Sequence, residues 1–318
     1  MPSGSTEDVK PLAENTQCTE PDVSEKPPEW PDHLMPHVVI YYLFAGPEYT
    51  DEYPNGKPSS FSEKCRKLNA SVIAIDNIID PINHDILQPE IWERLKVKMR
   101  SNADGGLFSP PCGSFCPGRN SNDGGPRPLR GHCGRDLYGL PDLWPEEMET
   151  VKVGTGCILR TCEAAQLLLD KGPVTDERNK RLWIPWIFEQ PKPRDGQPSG
   201  MNLNEVKPIT EHTAVHDYDR AQCPHGAATE KLTRWKGTVR MPGLEKCPHE
   251  KVWWRMPWNG KWSFGGHPPL KGTQWAVRAE EWTPDMLRPR MPSGPFISQG
   301  AAAYSEELND ILATRIVT

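Results

Sequence analysis

Long apolar runs are missing from this 318-residue chain, and no segment has the apolar centre of a secretory leader. We therefore expect a soluble intracellular protein with no membrane contact, in the nucleus if the cell is eukaryotic. Positive charge is not in excess either, because the net charge is −6 and the pI about 5.9. Contact with nucleic acid would thus need a local basic patch. No short-period repeat runs along the chain, which argues against a repeat protein.

Proline and tryptophan are abundant instead, with 35 and 12 residues. The first 35 residues are rich in proline, glutamate, serine and aspartate without apolar periodicity, which predicts a disordered tail over 1–35. Nine cysteines without a leader indicate reduced thiols rather than a disulfide framework. The length suits one α/β core, predicted at 36–200. An irregular region rich in tryptophan and proline follows at 201–295, and a helix in 296–318 is expected to pack on the core.

Apolar segments predict the strands of an open α/β sheet. Residues 38–47, 71–75 and 182–188 are almost continuously apolar, and a further strand is expected just before the turn at 109–112. A helix is predicted over 89–99. The residues that follow the strands include Asp76, Cys112 and Glu189. Since ligands bind beyond the carboxyl ends of strands in such sheets, we expect a binding site at this edge.

The turn Ser109-Pro110-Pro111-Cys112 carries the most specific chemistry. Two prolines fix the backbone and remove two N–H donors, so the cysteine lies on a stiff, non-helical turn. A thiol held in this way at a strand end is a candidate nucleophile. The alternative is an inert cysteine that only packs.

The order of these motifs resembles the cytosine-5 DNA methyltransferase family. The motifs are Phe44-Ala45-Gly46, Asp76, Asp85, Pro110-Pro111-Cys112 with Phe115, and Glu189. The segments 125–130 and 139–141 add a similarity to the divergent methyltransferase-like domains found beside retroelement polyproteins in protists. The resemblance covers residues 38–192. It implies a Rossmann-like sheet of the kind that S-adenosylmethionine-dependent methyltransferases use.

The resemblance also implies roles for these residues. Phe44, Ala45 and Gly46 would line the S-adenosylmethionine pocket, while Asp76 would bind the ribose and Asp85 the adenine. Cys112 would attack carbon 6 of a cytosine, and Glu189 would hold nitrogen 3 of the ring. The residues expected to contact the DNA substrate are Pro111, Phe115, Arg119, Arg127 and Arg130.

The arginine-rich stretch 119–135 has two possible roles beyond a solvated loop. It could supply the positive charge that a thiol with an ordinary pKa near 8.5 needs in order to ionise. It is also the candidate patch for nucleic acid, with DNA favoured over RNA.

Several positions depart from the family pattern and keep alternatives open. Pro47-Glu48 follows the first glycine, Gly113 follows the cysteine, and Gln190 follows the glutamate. One alternative is therefore a methyltransferase-fold module of a mobile element that binds nucleic acid without catalysis. Another is a zinc-stabilised interaction protein in which Cys112 is structural.

Two identical Cys-Pro-His tripeptides form the one paired cysteine pattern. Cys223, His225, Cys247 and His249 could supply a tetrahedral zinc set. The alternative is two turns that are alike by accident. Nearby aromatic residues could stack on bases or form a small core. These are Trp253, Trp254, Trp258, Trp262 and Trp275, with Arg255 among them.

Overall fold

The structure is a computed structural model. It describes residues 38–48, 56–116, 119, 126–175, 181–193, 195–227, 229–243, 246–257, 260–269, 276–286 and 304–318. The predicted tail over 1–35, Trp258 and Trp275 lie outside the described residues.

The strands and helices alternate through the first two thirds of the chain. The strands are β1 Val38–Leu43, β2 Ala70–Ile75, β3 Gly105–Phe108, β4 Pro173–Thr175, β5 Arg181–Trp183, β6 Trp186–Pro191, β7 His216–Ala221, β8 Leu232–Gly237, β9 Val252–Arg255, β10 Trp262–Gly265 and β11 Val277–Arg278. The helices are α1 Phe61–Lys67, α2 Pro89–Asn102, α3 Pro145–Asp170, α4 Lys207–Thr210 and α5 Glu306–Val317. Short 3-10 turns include Gly134–Tyr138 and Cys223–His225.

The central sheet has the strand order β2-β1-β3-β6-β8-β7. β2, β1, β3 and β6 are parallel, whereas β8 is antiparallel to both of its neighbours. The prediction of an α/β fold with a mostly parallel sheet is therefore confirmed. The chain moves from β1 outward to β2 and then crosses to the other side of β1 to form β3. This reversal creates a topological switch point between β1 and β3, where open α/β sheets bind ligands.

Both faces of the sheet are covered, which explains the continuous apolar strands. Tyr41, Phe108 and Trp186 pack on one face with residues of α2 and α3. Ile40 and Leu107 pack on the other face with residues of α1 and α5. Leu308, Leu312 and Ile316 of α5 are buried in this second cluster. Since Lys64 of α1 also forms ion pairs with Glu306 and Asp310, α5 is joined to the sheet by apolar and charged contacts.

The strand predicted over 182–188 is in fact two strands, so that prediction was wrong. Residues 181–183 form β5, which pairs with β4 as a hairpin, and β6 begins at Trp186. The break falls at Pro185, which has no N–H to donate, although its carbonyl accepts from Gly106 at 2.9 Å. Glu189 therefore lies inside β6 rather than after it.

The central sheet extends beyond residue 200, because β7 and β8 pair with each other and with β6. A separate small sheet follows with the order β10-β9-β11. Its buried residues Trp254, Met256 and Ala276 form their own cluster. Among the residues that the structure describes, no helix combines the length and apolar character that crossing a bilayer requires.

Candidate active site and metal cluster

The carboxyl end of β1 turns through two residues in the left-handed backbone region. Phe44 has a φ of 64° and Gly46 a φ of 65°. A non-glycine residue in this conformation is strained, and such strain often marks a functional site. The Phe44 N–H donates to the Ile75 carbonyl at 2.7 Å, which holds the turn against the end of β2.

Asp76 ties this turn to the residues that follow β2. One carboxylate oxygen accepts from the Gly46 N–H and the other from the Ile78 N–H, both at 2.8 Å. Asp85 accepts from the Leu87 N–H at 3.2 Å and from the Gln88 side chain at 3.1 Å. The charges of both acids act on a residue of α3. Burial raises the pKa of the Cys157 thiol to about 12, and the charges of Asp76 and Asp85 act in the same direction.

The Pro-Pro-Cys turn is fixed from both neighbouring strands. The Ser109 N–H donates to the Leu43 carbonyl of β1 at 3.2 Å, which continues the sheet pairing past β3. The Gln190 side chain of β6, 1% exposed, donates to the Pro110 carbonyl at 2.7 Å. The turn closes where the Phe115 N–H donates to the Cys112 carbonyl at 2.8 Å. A side chain at Gly113 would meet no atom within 4 Å, so the residue after Cys112 borders open space.

Cys112 and Glu189 are brought together at this edge. Burial raises the pKa of Cys112 to about 12, and Cys116 and Glu189 add to that shift while Lys231 opposes it. Burial also raises the pKa of Glu189, which is 7% exposed. Lys231 and a hydrogen bond from Tyr304 lower it in part. The sequence therefore predicted a pair that does lie within electrostatic reach.

Hydrogen bonds link the hydroxyl groups of Tyr304, Ser109 and Tyr42 at this edge of the sheet. Ser109 lies 2.7 Å from the Tyr304 hydroxyl, and Ser109 also hydrogen bonds to Tyr42. Burial raises the pKa of Tyr42 well above its usual value, and the charges of Glu189 and Asp76 raise it further. The charges of Asp76, predicted to bind the cofactor, and of Glu189, predicted to be catalytic, therefore both act on the Tyr42 hydroxyl.

Sequence reasoning missed Lys231 and the site role of Tyr304. Lys231 immediately precedes β8, which runs antiparallel to β6, so it reaches the edge where β6 ends. Its ammonium lies 5.3 Å from the centre of the Tyr304 ring. No local pattern marks either residue. Ser109 could have been found, since it directly precedes the two prolines.

Arg130 has a structural position that differs from the predicted substrate contact. It is 2% exposed and lies 3.8 Å above the buried ring of Phe115. Its guanidinium donates to two backbone carbonyls and two hydroxyls at 2.6–3.0 Å, those of Leu137, Val151, Ser114 and Thr155. Burial lowers the pKa of Arg130 to about 10. Neither Arg130 nor Phe115 presents a surface to DNA, because each fills the core behind the turn.

Arg127 and Arg119 also bind within the protein. Arg127 pairs with Glu147 at 2.5 Å and with Asp142 at 2.8 Å, and it lowers the pKa of Glu147 to about 2. Arg119 donates to the carbonyls of Gly113 and Arg127. Lys231, rather than this arginine-rich stretch, is the cation that lowers the pKa of Cys112. Pro111, in contrast, is exposed beside Cys112.

Four Cys and His side chains form a group that could hold a metal ion. They are Cys223, Cys247, His249 and His267, and their ligand atoms all lie within 4.8 Å of one another. Three residues of the predicted set belong to this group, whereas His225 does not and His267 takes its place. The 3-10 turn Cys223–His225 ends at Gly226 with a φ of 80°, and it places the His225 ring against Gly243 and 3.7 Å from Glu307.

A comparison of the chain with protein-family models, characterised proteins and solved structures gives no match.

Proposed function

We propose that this protein is an S-adenosylmethionine-dependent methyltransferase that modifies carbon 5 of cytosine in DNA. The observation that carries the proposal is the pairing of Cys112 with Glu189. They lie at the carboxyl edge of adjacent parallel strands, β3 and β6, next to the switch point between β1 and β3. Ligands of open α/β sheets bind at this position.

The pair suits the chemistry of a pyrimidine ring. Carbon 5 of cytosine is a poor nucleophile until a thiolate adds to carbon 6 and pushes electron density onto carbon 5. The raised pKa of Glu189 favours its protonated form, which can donate a hydrogen bond to nitrogen 3 and stabilise the adduct. The activated carbon 5 would then take the methyl group of S-adenosylmethionine, which would leave as S-adenosylhomocysteine. Transfer of the carbon 5 proton to water and departure of the Cys112 sulfur as a thiolate would restore the aromatic ring.

The residues at the ends of β1 and β2 fit S-adenosylmethionine, which supplies an electrophilic methyl group when bound. A side chain at Gly46 would point into open space, with no atom within 4 Å. Asp76 uses one lone pair on each oxygen for backbone N–H groups, so each oxygen can still accept from a ribose hydroxyl. Phe44 is half-buried and offers an apolar wall, and the charges of Asp76 and Asp85 both act on the Cys157 thiol of α3.

The proposed partner is nucleic acid, and DNA more than RNA. Because Arg130 is buried and Arg127 is paired with Glu147 and Asp142, the exposed aromatic residues of the small sheet are the better candidate contact. Trp253, Trp262 and Phe264 are about half exposed, and Arg255 lies 4.5 Å from the Trp262 ring centre. Aromatic side chains beside a cation suit unstacked bases.

Transfer of a labelled methyl group from S-adenosylmethionine to DNA tests this function. Wild type should label DNA, and Cys112→Ser should lose transfer while keeping cofactor affinity, because a hydroxyl ionises far less readily. DNA that contains 5-fluorocytosine should form a covalent adduct through Cys112. Cofactor and DNA binding without transfer or adduct would identify the inactive nucleic-acid-binding module of a mobile element instead.

The cofactor site has its own test by calorimetry. Asp76→Ala should weaken S-adenosylmethionine binding by about 1–3 kcal/mol, the usual effect of removing a partner from a buried polar group. Asp80→Ala is the control, since Asp80 binds only the turn 82–83 in exposed contacts. Equal affinity of wild type and Asp76→Ala would remove Asp76 from the site.

A zinc-stabilised interaction protein is the second candidate. The Cys/His group favours it, since two thiolates and two imidazoles are ligands typical of structural zinc. This candidate predicts no binding of S-adenosylmethionine, so the same calorimetric experiment separates it from the methyltransferase.

A further inference from the structure

The four Cys and His side chains are already arranged around a common centre. The Cys247 Sγ lies 3.4 Å from the His249 Nδ1, and that nitrogen lies 3.1 Å from the His267 Nε2. The Cys223 and Cys247 thiols also interact directly. In a tetrahedral zinc site, bond lengths of about 2.0–2.3 Å separate neighbouring ligand atoms by roughly 3.3–3.8 Å. The two measured separations are close to these values, and all four ligand atoms lie within 4.8 Å of one another, so a small shift of the side chains would let them share one ion.

The backbone at Gly265 and Gly266 lets the segments that carry the ligands lie close together. A β-carbon at Gly266 would lie 2.8 Å from the Cys247 Sγ and 3.1 Å from the His249 carbonyl, so a larger residue there would displace Cys247 and His249. The Trp254 indole donates to the Gly265 carbonyl at 2.9 Å, which fixes the end of β10 just before this turn. The two residues before His267 are thus held close to β9 and to the segment that carries Cys247 and His249.

We propose that Cys223, Cys247, His249 and His267 bind one zinc ion, and that this ion fastens the small sheet β10-β9-β11 to the turn after β7. Cys223 belongs to that turn, whereas the other three ligands lie in the segments that flank β9 and β10. This inference does not depend on methyl transfer. For the zinc-stabilised interaction protein, the second candidate function, these four residues are the metal ligands and the ion has a structural role.

The size of the small sheet explains why it needs such a link. Among the described residues, its buried cluster consists of Trp254, Met256 and Ala276, separate from both clusters of the central sheet. Trp253 and Phe264 project to the opposite, exposed face. A core of this size contributes little stability, and small units of this kind are commonly held by a structural metal.

Two sulfur and two nitrogen donors favour zinc over magnesium or calcium, which prefer oxygen. Four protein ligands fill a tetrahedral site and leave no open position for a substrate or a reactive water. The ion would therefore be structural. Its binding would release the Cys223 and Cys247 protons and hold both residues as thiolates.

Metal content of the purified full chain gives the first test. Wild type should carry about one zinc per chain, and His267→Asn should lose most of it, whereas His225→Asn should keep it. Cys133→Ser is the control for cysteine removal, since Cys133 is exposed and outside the group. If His267→Asn misfolds, His267→Cys should restore zinc binding, because a thiolate replaces the imidazole as ligand. Cobalt-loaded wild type should show the visible absorption of a tetrahedral thiolate site.

Hydrogen exchange gives the second test. Removal of the metal by a chelator should speed amide exchange at least several-fold in peptides over 252–265, and leave peptides from β1 and β3 unchanged. The zinc site would be excluded if purified wild type contained no zinc, whether Cys223 and Cys247 were free thiols or joined in a disulfide. Zinc loss in His225→Asn with retention in His267→Asn would overturn the ligand set. Unchanged exchange after metal removal would overturn the fastening role.

Discussion

The hydroxyl groups of Ser109 and Tyr304 lie 2.7 Å apart although 195 positions separate the two residues. Tyr304 also donates to Glu189, so a residue just before the last helix completes the edge where Cys112 lies. Ser305 caps α5 and donates to the His225 carbonyl. The start of α5 therefore contacts both the candidate active site and the turn that holds Cys223.

Tyr304→Phe should destabilise the protein by about 1 kcal/mol, since it removes a hydroxyl that contacts Ser109 and Glu189. Because this hydrogen bond lowers the pKa of Glu189, its loss should raise that pKa further. Urea unfolding at neutral pH measures the change in stability. Tyr138→Phe is the matched control, because its hydroxyl binds Glu205 in an exposed contact and its loss should matter less. Equal losses in the two variants would contradict the buried network.

Lys231→Met should slow alkylation of Cys112 by iodoacetamide. Lys231 lowers a pKa that burial holds at about 12, so its loss leaves less thiolate at any given pH. In wild type the rate should rise about tenfold per pH unit below that pKa. Peptide mass spectrometry follows Cys112, with the exposed Cys133 as reference in the same digest. Lys236→Met is the control, because Lys236 lies on β8 and forms an ion pair with Asp217 of β7. Equal rates for Lys231→Met and wild type would exclude Lys231 from the site.

Local sequence signals predicted the edge of the sheet well. Asp76 and Cys112 each follow an apolar strand, and parallel strands bring their carboxyl ends together whatever the connecting segments contain. Glu189 was expected to follow its strand but lies inside β6, because Pro185 divides the predicted strand and β6 continues to Pro191. Lys231 and Tyr304 could not be predicted, because antiparallel pairing of β8 and packing of α5 bring them to the edge.

The arginines and the metal ligands show a second limit of sequence reasoning. A cluster of arginines looks the same in sequence whether a guanidinium packs on Phe115 or faces solvent. The identical tripeptides made His225 and His249 equivalent, but the turn after β7 directs His225 towards Glu307. His267 is a single histidine in another segment, and only the pairing of β9 with β10 brings it to the group.

Arg130→Lys should destabilise the protein by at least about 2 kcal/mol, because an ammonium cannot reproduce the four contacts of the buried guanidinium. The affinity of the folded fraction for DNA should stay unchanged, since Arg130 faces the core. Thermal unfolding and fluorescence anisotropy measure the two effects. Arg135→Lys, at an exposed position in the turn 134–138, should change stability by less than about 0.5 kcal/mol. A stable Arg130→Lys variant with weak DNA binding would instead support the substrate role expected from sequence.

Glu189→Gln should stabilise the protein at neutral pH while it impairs formation of the cytosine adduct. Burial raises the pKa of Glu189, so the folded chain holds a proton that the unfolded chain releases at lower pH. Wild-type stability therefore falls as pH rises from the ordinary glutamate pKa to the raised one, and stays lower above it. The variant has no proton to lose at this position. Its advantage over wild type should thus be absent below about pH 4 and grow through this window.

Urea midpoints measured from pH 3.5 to 8 would show this divergence between the two proteins. Glu211→Gln, at an exposed position after α4, is the matched control and should follow wild type at every pH. A constant difference between Glu189→Gln and wild type across the range would mean that folding does not shift the pKa of Glu189. A variant that loses stability relative to wild type as pH rises would mean that Glu189 is stabilised as a carboxylate by Lys231 and Tyr304. In that state Glu189 could accept a hydrogen bond from a base, but it could not donate one to nitrogen 3 of cytosine.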